Sequence, residues 1–264
     1  MHPLEPYIQA WRDTADDLLE LLPSLADDDW SKDTDLPGWR VRDVAAHLAH
    51  LESVLAGFDP GPPPARAGGT SPSSDYTQSG VDARADRSPE ELIDELRRSV
   101  EARTERLRDL PDPSAQPDIT PGGVDWTWEV MLRNRAIDIW SHEQDIRRAV
   151  GRPGNLGSGG AQVTTRSFAA GMPFVLGKRV APPPGTSVVW RITGEVPLEV
   201  GAIVGDDGRA AAQVADKPDA TLTLTNESFT VLAAGRRTPD QVDVELDGDE
   251  TLGRAVLAGM VLTQ

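Results

Sequence analysis

The stretch WEVMLRNRAIDIWSHEQDIRRAV, residues 128–150, decides the fold of this chain. Apolar side chains recur along it at the three- and four-residue spacing of an α-helix: Trp128, Leu132, Ile139 and Ile146. The following Gly151-Arg152-Pro153-Gly154 is typical of a helix stop, and Arg147 and Arg148 would lie near the negative end of the helix dipole. We therefore predict one long helix from about Trp128 to Val150.

Three more amphipathic helices precede this one. Apolar stripes at helical spacing occupy residues 8–22, 41–55 and 92–107, and Ser88-Pro89-Glu90-Glu91 has the pattern of a capping box at the start of the third. Together the helices predict a four-helix bundle over residues 1–155. The Pro/Gly/Ser-rich stretch from Asp59 to Arg87 is interpreted as a lid over one end of the bundle, a crossover or a disordered loop.

The period changes in the second half of the chain. Alternating residues predict strands at Ser187–Ile192, Thr221–Thr225 and Val242–Leu246, with a hairpin around Asp206-Asp207-Gly208. Short helices are expected after an Asn226 cap, as far as Leu232, and from Leu252 to Met260. We predict a small α+β domain over residues 160–264, so the fold class is α+β.

Composition excludes several function classes. The net charge is -17, and the first 150 residues hold thirty acidic against sixteen basic side chains, which disfavours a nucleic-acid partner. No apolar run of eighteen residues and no signal peptide occur, so we expect a cytoplasmic protein without a membrane partner. The chain has no cysteine, which excludes a thiolate zinc site and a cysteine nucleophile. Any thiol chemistry would need a thiol from outside.

The chain has four histidines, at positions 2, 47, 50 and 142, and His2 is terminal. On a helical wheel, His47 flanks the apolar stripe of the second helix and can point inward. His50 lies about 60° further round, at about 100° per residue, and is expected to face solvent.

The four-residue step from Asp138 to His142 places a carboxylate and an imidazole on one face of the fourth helix, where they could share a metal ion. The alternative is that Asp138 pairs with Arg135 or His142 on a solvated face. Arg135 and Asp145 extend the same stripe, and a charged stripe in an apolar helix needs a partner: a metal, a substrate or a set of ion pairs.

Two segments carry a resemblance to a known family. Leu36-Pro37-Gly38-Trp39-Arg40-Val41-Arg42-Asp43-Val44-Ala45-Ala46-His47-Leu48 and the run from Asp138 to Gly151 are similar to motifs of the mycothiol-dependent maleylpyruvate isomerase family. Ala234–Arg237 and Leu246–Asp249 match it more loosely. The resemblance covers most of the chain and implies a DinB-like four-helix bundle followed by a small α+β domain.

The resemblance also implies a ligand set. Zinc, or another divalent metal, would be held by His47, Asp138 and His142. Better-known family members have glutamate at the position of Asp138; aspartate is one methylene shorter, so the metal must sit nearer the helix, bind through a water or be absent. Asp145 could orient a ligand imidazole, or it could form a cap or a salt bridge on the surface. Candidates for holding an anionic substrate, or the polar groups of a thiol, are Arg135, Arg236 and Arg237.

The implied cosubstrate is mycothiol, the low-molecular-weight thiol of actinobacteria. Two imidazoles and one carboxylate leave zinc with a positive charge and an open position, where a thiol would lose its proton and then add to a small electrophile. Collapse of the adduct after bond rotation would make the enzyme an isomerase, and release of the adduct a thiol transferase. Two alternatives are a non-catalytic small-molecule-binding or dimerisation module with a degenerate site, and a thiol-independent metal hydrolase. The chain could be a monomer or a homodimer.

Overall fold

The computed structural model describes residues 2–59 and 72–263, with side chains from residue 75 onward after the gap. The chain forms two compact units, Met1–Gly154 and Asn155–Gln264. The first is helical and the second combines helices with a five-stranded sheet, so the predicted α+β class is confirmed.

In the described part of the first unit, the four predicted helices are joined by one further α-helix. The helices are α1 (Glu5–Leu21), α2 (Val41–Leu55), α3 (Pro72–Asp82), α4 (Pro89–Arg106) and α5 (Trp128–Val150). The apolar stripes of α1, α2, α4 and α5 meet in one core, where Leu18, Leu48, Leu96 and Ile139 are fully buried. Burial of these stripes, at roughly 25 cal/mol per Å², holds the helices together.

The predicted helix ends of the bundle are confirmed. Ser88 caps α4, its hydroxyl accepting from the Glu91 backbone N–H, while the Glu91 carboxylate accepts from the Ser88 N–H. The long helix α5 ends at Gly151, whose φ of 68° is the left-handed conformation that favours glycine. Gly151 therefore ends α5 by adopting a backbone conformation that other residues rarely adopt.

Helix α3 lies in the stretch of residues 59–87, for which the sequence left open a lid, a crossover or a disordered loop, and it gives residues 72–82 regular structure. Its polar sequence has no apolar stripe, and contacts with α2 and α4 hold it in place: Tyr76, Val81 and Arg84 are buried. Such contacts are invisible to a helical-wheel argument, which reads each segment alone. Residues 60–71, the remainder of the proposed lid, lie outside the described residues.

The second unit begins with α6 (Gly159–Ala169), the single turn α7 (Met172–Phe174) and a wider turn, Val175–Val180. Its sheet contains β1 (Ser187–Thr193), β2 (Leu198–Val204), β3 (Ala210–Ala212), β4 (Ala220–Thr225) and β5 (Glu245–Gly248), and the remaining helices are α8 (Asn226–Ala233) and α9 (Glu250–Ala258). The strand order is β3-β2-β1-β4-β5, with β1 and β4 parallel and the other pairs antiparallel.

Most of the strand predictions are confirmed, and two details are corrected. The hairpin at Asp206-Asp207-Gly208 joins β2 to β3, with Gly208 at a φ of 74°. The last strand is displaced to Glu245–Gly248, because its pairing with β4 starts only there. Helix α8 is capped by the Thr225 hydroxyl, which accepts from the Ser228 N–H, and Asn226 is its first residue. Among the described residues, every helix is too short or too polar to cross a bilayer.

Candidate metal centre

The fold brings His47 of α2 together with Asp138 and His142 of α5. Asp138 Oδ2 lies 3.5 Å from His47 Nε2, and Asp138 Oδ1 lies 3.7 Å from His142 Nε2. One ligand atom from each of the three residues lies within 4.8 Å of the other two. His47 precedes Asp138 by 91 residues and His142 by 95 residues, and the last two lie one turn apart on α5. The fold thus brings the three side chains to one point.

His47 is buried without a conventional partner. Neither of its ring nitrogens makes a hydrogen bond to any described residue, although its side chain is only 4% exposed. Burial lowers the pKa of His47 and outweighs the attraction of Asp138, so the imidazole is neutral at pH 7. A neutral imidazole with a buried, unused lone pair is the form in which histidine binds metals.

Asp138 is ionised although it is partly buried. Burial alone would raise the pKa of Asp138, but the Arg135 guanidinium and the two imidazoles hold it well below its ordinary value. Arg135 Nη1 donates to Asp138 Oδ2 at 2.8 Å. The site therefore contains one negative charge and two imidazoles, a donor set suited to a divalent cation.

A carboxylate holds the second ring nitrogen of His142. His142 Nδ1 lies 3.1 Å from Asp145 Oδ2, and Asp145 Oδ1 accepts from Arg148 at 2.6 Å. Arg148 also donates to Asp35 at 2.6 Å, which ties the group to the segment before α2. If Nδ1 carries the proton that Asp145 accepts, the lone pair of Nε2 points toward Asp138, as in the carboxylate–histidine pairs behind metal ligands.

An indole lies against both imidazoles. The Trp39 ring is stacked on His142 at a centroid distance of 6.1 Å and an interplanar angle of 27°, and it lies 5.3 Å from His47. Trp39 Nε1 donates to Gln78 of α3 at 3.0 Å. The tryptophan of the Leu36–Leu48 motif therefore forms an apolar wall of the cluster.

These residues fit a zinc ion. In a tetrahedral zinc site with bonds of about 2.0 to 2.2 Å, neighbouring ligand atoms are about 3.3 to 3.5 Å apart. Asp138 Oδ2 is 3.5 Å from His47 Nε2 and Asp138 Oδ1 is 3.7 Å from His142 Nε2, so each imidazole has a carboxylate oxygen within a few tenths of an ångström of this spacing. The short Asp138 side chain thus reaches both imidazoles, and the lack of a hydrogen bond at His47 Nε2 is explained if this nitrogen binds a metal.

The three arginines singled out from the sequence lie in different surroundings. Arg135 is 1% exposed, and its N–H groups donate to Glu52 and Asp138. Its position therefore suits a role in holding Asp138 better than a contact with a substrate. Arg236 and Arg237 belong to the second unit, where they follow α8, and Arg236 donates to the Ala234 carbonyl at 3.0 Å. Their role toward a substrate stays a prediction.

The expectation that His50 faces solvent is wrong. Its side chain is completely buried, because α3 packs over this side of α2. Arg84 Nη1 lies 3.2 Å from His50 Nδ1, and a Cβ built on Gly80 would lie only 2.1 Å from the ring carbon Cδ2. Burial, with the neighbouring Arg84 charge, lowers the pKa of His50 to about 4.

Sequence reasoning missed Glu52 and Arg103. Glu52 is fully buried in α2 and accepts from Arg135 of α5 and Arg103 of α4. A signal was available: Glu52 falls four residues after Leu48 and three before Leu55, inside the apolar stripe. A carboxylate in that position predicts a buried cationic partner.

Comparison with known proteins gives two kinds of match. Residues 11–147 match the family described as Mycothiol maleylpyruvate isomerase N-terminal domain. The crystal structure of the mycothiol-dependent maleylpyruvate isomerase is similar, with a TM-score of 0.56 and 17% identity over 92% of this chain and 93% of that chain. A histidine-to-alanine mutant of that enzyme gives 0.53 and 16% over the same shares. No curated protein sequence matches.

The structural likeness, at these identities, shows a shared fold. The family match spans more than half of the chain and includes all three residues of the candidate centre. The chain therefore belongs to the family of the mycothiol maleylpyruvate isomerase N-terminal domain.

Proposed function

We propose that this family member is a metal-dependent enzyme that uses mycothiol as cosubstrate and adds its sulfur to a small electrophile. The observation that carries the proposal is His47, whose buried Nε2 makes no hydrogen bond to a described residue and lies 3.5 Å from the ionised Asp138, close to the Nε2 atom of His142. The proposal assigns the centre to residues 1–155 of a cytoplasmic protein, with zinc as the metal.

The residues of the chain have separate roles in this proposal. His47, Asp138 and His142 would hold zinc, which when bound stabilises the thiolate over the thiol at neutral pH. Asp145 keeps the His142 ring oriented. Trp39 limits the access of water to the imidazoles and strengthens the electrostatic interactions behind it.

Absence of cysteine from the chain supports an external thiol. A protein thiol near the centre would compete for the open metal position and could be oxidised to a disulfide with the cosubstrate. With no cysteine in the sequence, the incoming thiol is the only sulfur nucleophile at the site. Methionine, of which there are four, has a thioether that does not ionise.

The name of the structurally similar enzyme suggests the first electrophile to test. Maleylpyruvate has a double bond conjugated to carbonyl groups, to which a thiolate can add. An isomerase would regenerate the thiol in each cycle, whereas a transferase would consume it. Mycothiol titration during turnover therefore distinguishes the two reactions.

The test combines metal content with thiol dependence. We expect near-stoichiometric zinc in the purified chain, and activity on maleylpyruvate or another small electrophile only when both zinc and mycothiol are present. Asp138→Asn should reduce bound zinc to a trace, whereas Asp94→Asn, on the exposed side of α4, should leave it unchanged.

Two results would contradict the proposal. A chain that takes up no divalent metal after reconstitution would exclude the metal-dependent mechanism and favour a binding module. Metal-dependent turnover that proceeds equally well without mycothiol would instead indicate a hydrolase.

A further inference from the structure

Behind the candidate centre lies a row of four charged side chains that crosses the bundle. Asp138 and Arg135 of α5, Glu52 of α2 and Arg103 of α4 form it in that order. Arg135 Nη1 donates to Asp138 Oδ2 at 2.8 Å, and Arg135 Nη2 donates to Glu52 Oε1 at 2.9 Å. Arg103 pairs with the other oxygen of Glu52. We call these four residues the buried ion row.

The buried ion row is almost completely removed from solvent. The side chains of Glu52, Arg135 and Arg103 are 0%, 1% and 4% exposed, and only Asp138, at 24%, reaches the surface. Its two positive and two negative charges balance. Burying unpaired charges would cost several kcal/mol each, so all four must pair where they lie.

Arg135 occupies one side of the Asp138 carboxylate. The oxygen it holds, Oδ2, is the one that lies 3.5 Å from His47 Nε2. The other oxygen, Oδ1, lies 3.7 Å from His142 Nε2 and receives no hydrogen bond from any described residue. The carboxylate thus has one oxygen held by the protein and one left open toward the imidazoles.

We propose that Arg135, anchored by Glu52, is a positioning residue that fixes Asp138 so that a single carboxylate oxygen is available to the metal. The inference rests on the proposed function, since it needs a metal at His47, Asp138 and His142. The role also explains how aspartate can replace the glutamate of other family members as a metal ligand. Its side chain is one methylene shorter, and the Arg135 guanidinium fixes the position of its carboxylate.

A guanidinium is needed for this role. Its rigid planar fork donates to Asp138 and Glu52 at once through different nitrogens, which the single ammonium of lysine cannot do in the same geometry. Because Arg135 donates to one carboxylate oxygen, Asp138 is expected to bind a metal through the other oxygen alone. This suits zinc, and it disfavours calcium, which takes six to eight oxygen ligands.

The test compares Arg135→Lys with Arg103→Lys. Both variants keep the charge and both disturb a buried pair with Glu52, but only Arg135 touches Asp138. Zinc affinity is measured by competition with a chelator, and the visible spectrum of the Co²⁺-loaded protein reports coordination. We expect Arg135→Lys to weaken zinc binding 10- to 100-fold, as is usual for groups behind a ligand, and to change the cobalt bands. Arg103→Lys should change affinity less than about threefold.

Each outcome is decisive. If the parent binds neither zinc nor cobalt, the proposed function fails and this inference with it. If the parent binds metal and Arg135→Lys matches Arg103→Lys in affinity and spectrum, the positioning role alone is overturned. Should Arg135→Lys not fold, Glu52→Gln replaces it: this variant keeps both arginines but removes the anchor, and unchanged affinity and cobalt bands there would equally refute the role.

Discussion

His47 and His50 lie three residues apart on α2, and both are buried. His47 faces an ionised carboxylate and a second imidazole across the bundle, whereas His50 faces a guanidinium and the backbone of α3. Burial makes both imidazoles neutral, so neither burial nor protonation separates them. The groups next to the ring nitrogens do: His47 Nε2 lies 3.5 Å from the Asp138 carboxylate, whereas His50 Nδ1 lies 3.2 Å from the Arg84 guanidinium, with Asp59 further away at 3.9 Å.

The two surroundings also differ in what they stabilise. Around His50, Arg84 donates to Glu95 through two nitrogens at 2.6 and 2.9 Å and to Asp59 at 2.9 Å, which fastens α3 to α2 and α4. Around His47, neither ring nitrogen makes a hydrogen bond to a described residue, while Asp138 is held by Arg135. The cluster around His50 holds the helices together, whereas the cluster around His47 has the donor set for a metal ion.

Arg84→Met tests whether the cluster around His50 stabilises the fold, and it has the largest expected effect. Removing Arg84 from this buried ion pair leaves Glu95 with the half-exposed Arg87 and the Ser53 side chain, and we expect a loss of about 3 to 5 kcal/mol in the free energy of unfolding. Urea denaturation measures it. Arg97→Met, on α4 with the exposed Asp94 as its partner, is the control and should cost less than about 1 kcal/mol.

His47→Ala and His50→Ala test the comparison directly. His47→Ala removes a proposed ligand and should weaken zinc binding at least 100-fold, roughly 3 kcal/mol, by chelator competition. His50→Ala should leave zinc affinity within about threefold of the parent, since Arg84 already excludes a cation from that side. Equal losses of affinity in the two variants would mean that the difference in neighbours has no bearing on metal binding.

The pH dependence of stability sharpens the same difference. The pKa of His50 is about 4 in the folded chain and 6.5 ordinarily, so below pH 6.5 the unfolded chain takes up a proton that the folded chain refuses. The His50 contribution to stability therefore decreases as the pH is lowered from 6.5 to 4, by about 2 kcal/mol between pH 7 and pH 5. Metal-free parent and His50→Gln should be compared by urea denaturation, and a parallel decline in both would contradict the assignment.

Gln78→Ala has the smallest expected effect. Gln78 belongs to α3 but accepts the hydrogen bond of Trp39, so it links the surroundings of His50 to those of His47. Because this hydrogen bond is exposed, its loss should cost less than about 1 kcal/mol and change zinc affinity by less than about twofold. A tenfold loss of affinity would instead show that the two surroundings are coupled through Trp39.

The orientation of each histidine could be predicted from the sequence only where it is set by residues of the same helix. The inward face of His47 follows from apolar residues on its own helix, which periodicity reveals. The burial of His50 is decided by α3, some thirty residues downstream, whose polar sequence gives no helical stripe. Glu52 is an intermediate case. Its place in the apolar stripe of α2 can be read from the sequence, but the identity of its partners, Arg103 and Arg135, cannot.

The second unit shows the same limit. Thr221–Thr225 was predicted correctly, since its alternation coincides with the pairing of β4 to β1. For the last strand the alternation begins at Val242, yet pairing begins at Glu245 and places Leu246 opposite Leu222. Alternation indicates strand-forming residues, whereas the neighbouring strand sets where the ladder starts.

The stacking of Trp39 on His142 has an optical consequence. An indole 6.1 Å from the imidazole of a ligand would transfer excitation to a coloured ion such as Co²⁺ at the centre, and its emission would fall as the ion binds. The chain has seven tryptophans, so the difference between the parent and Trp39→Phe isolates this signal. Occupancy could then be followed in real time by fluorescence, without a dye or an added label.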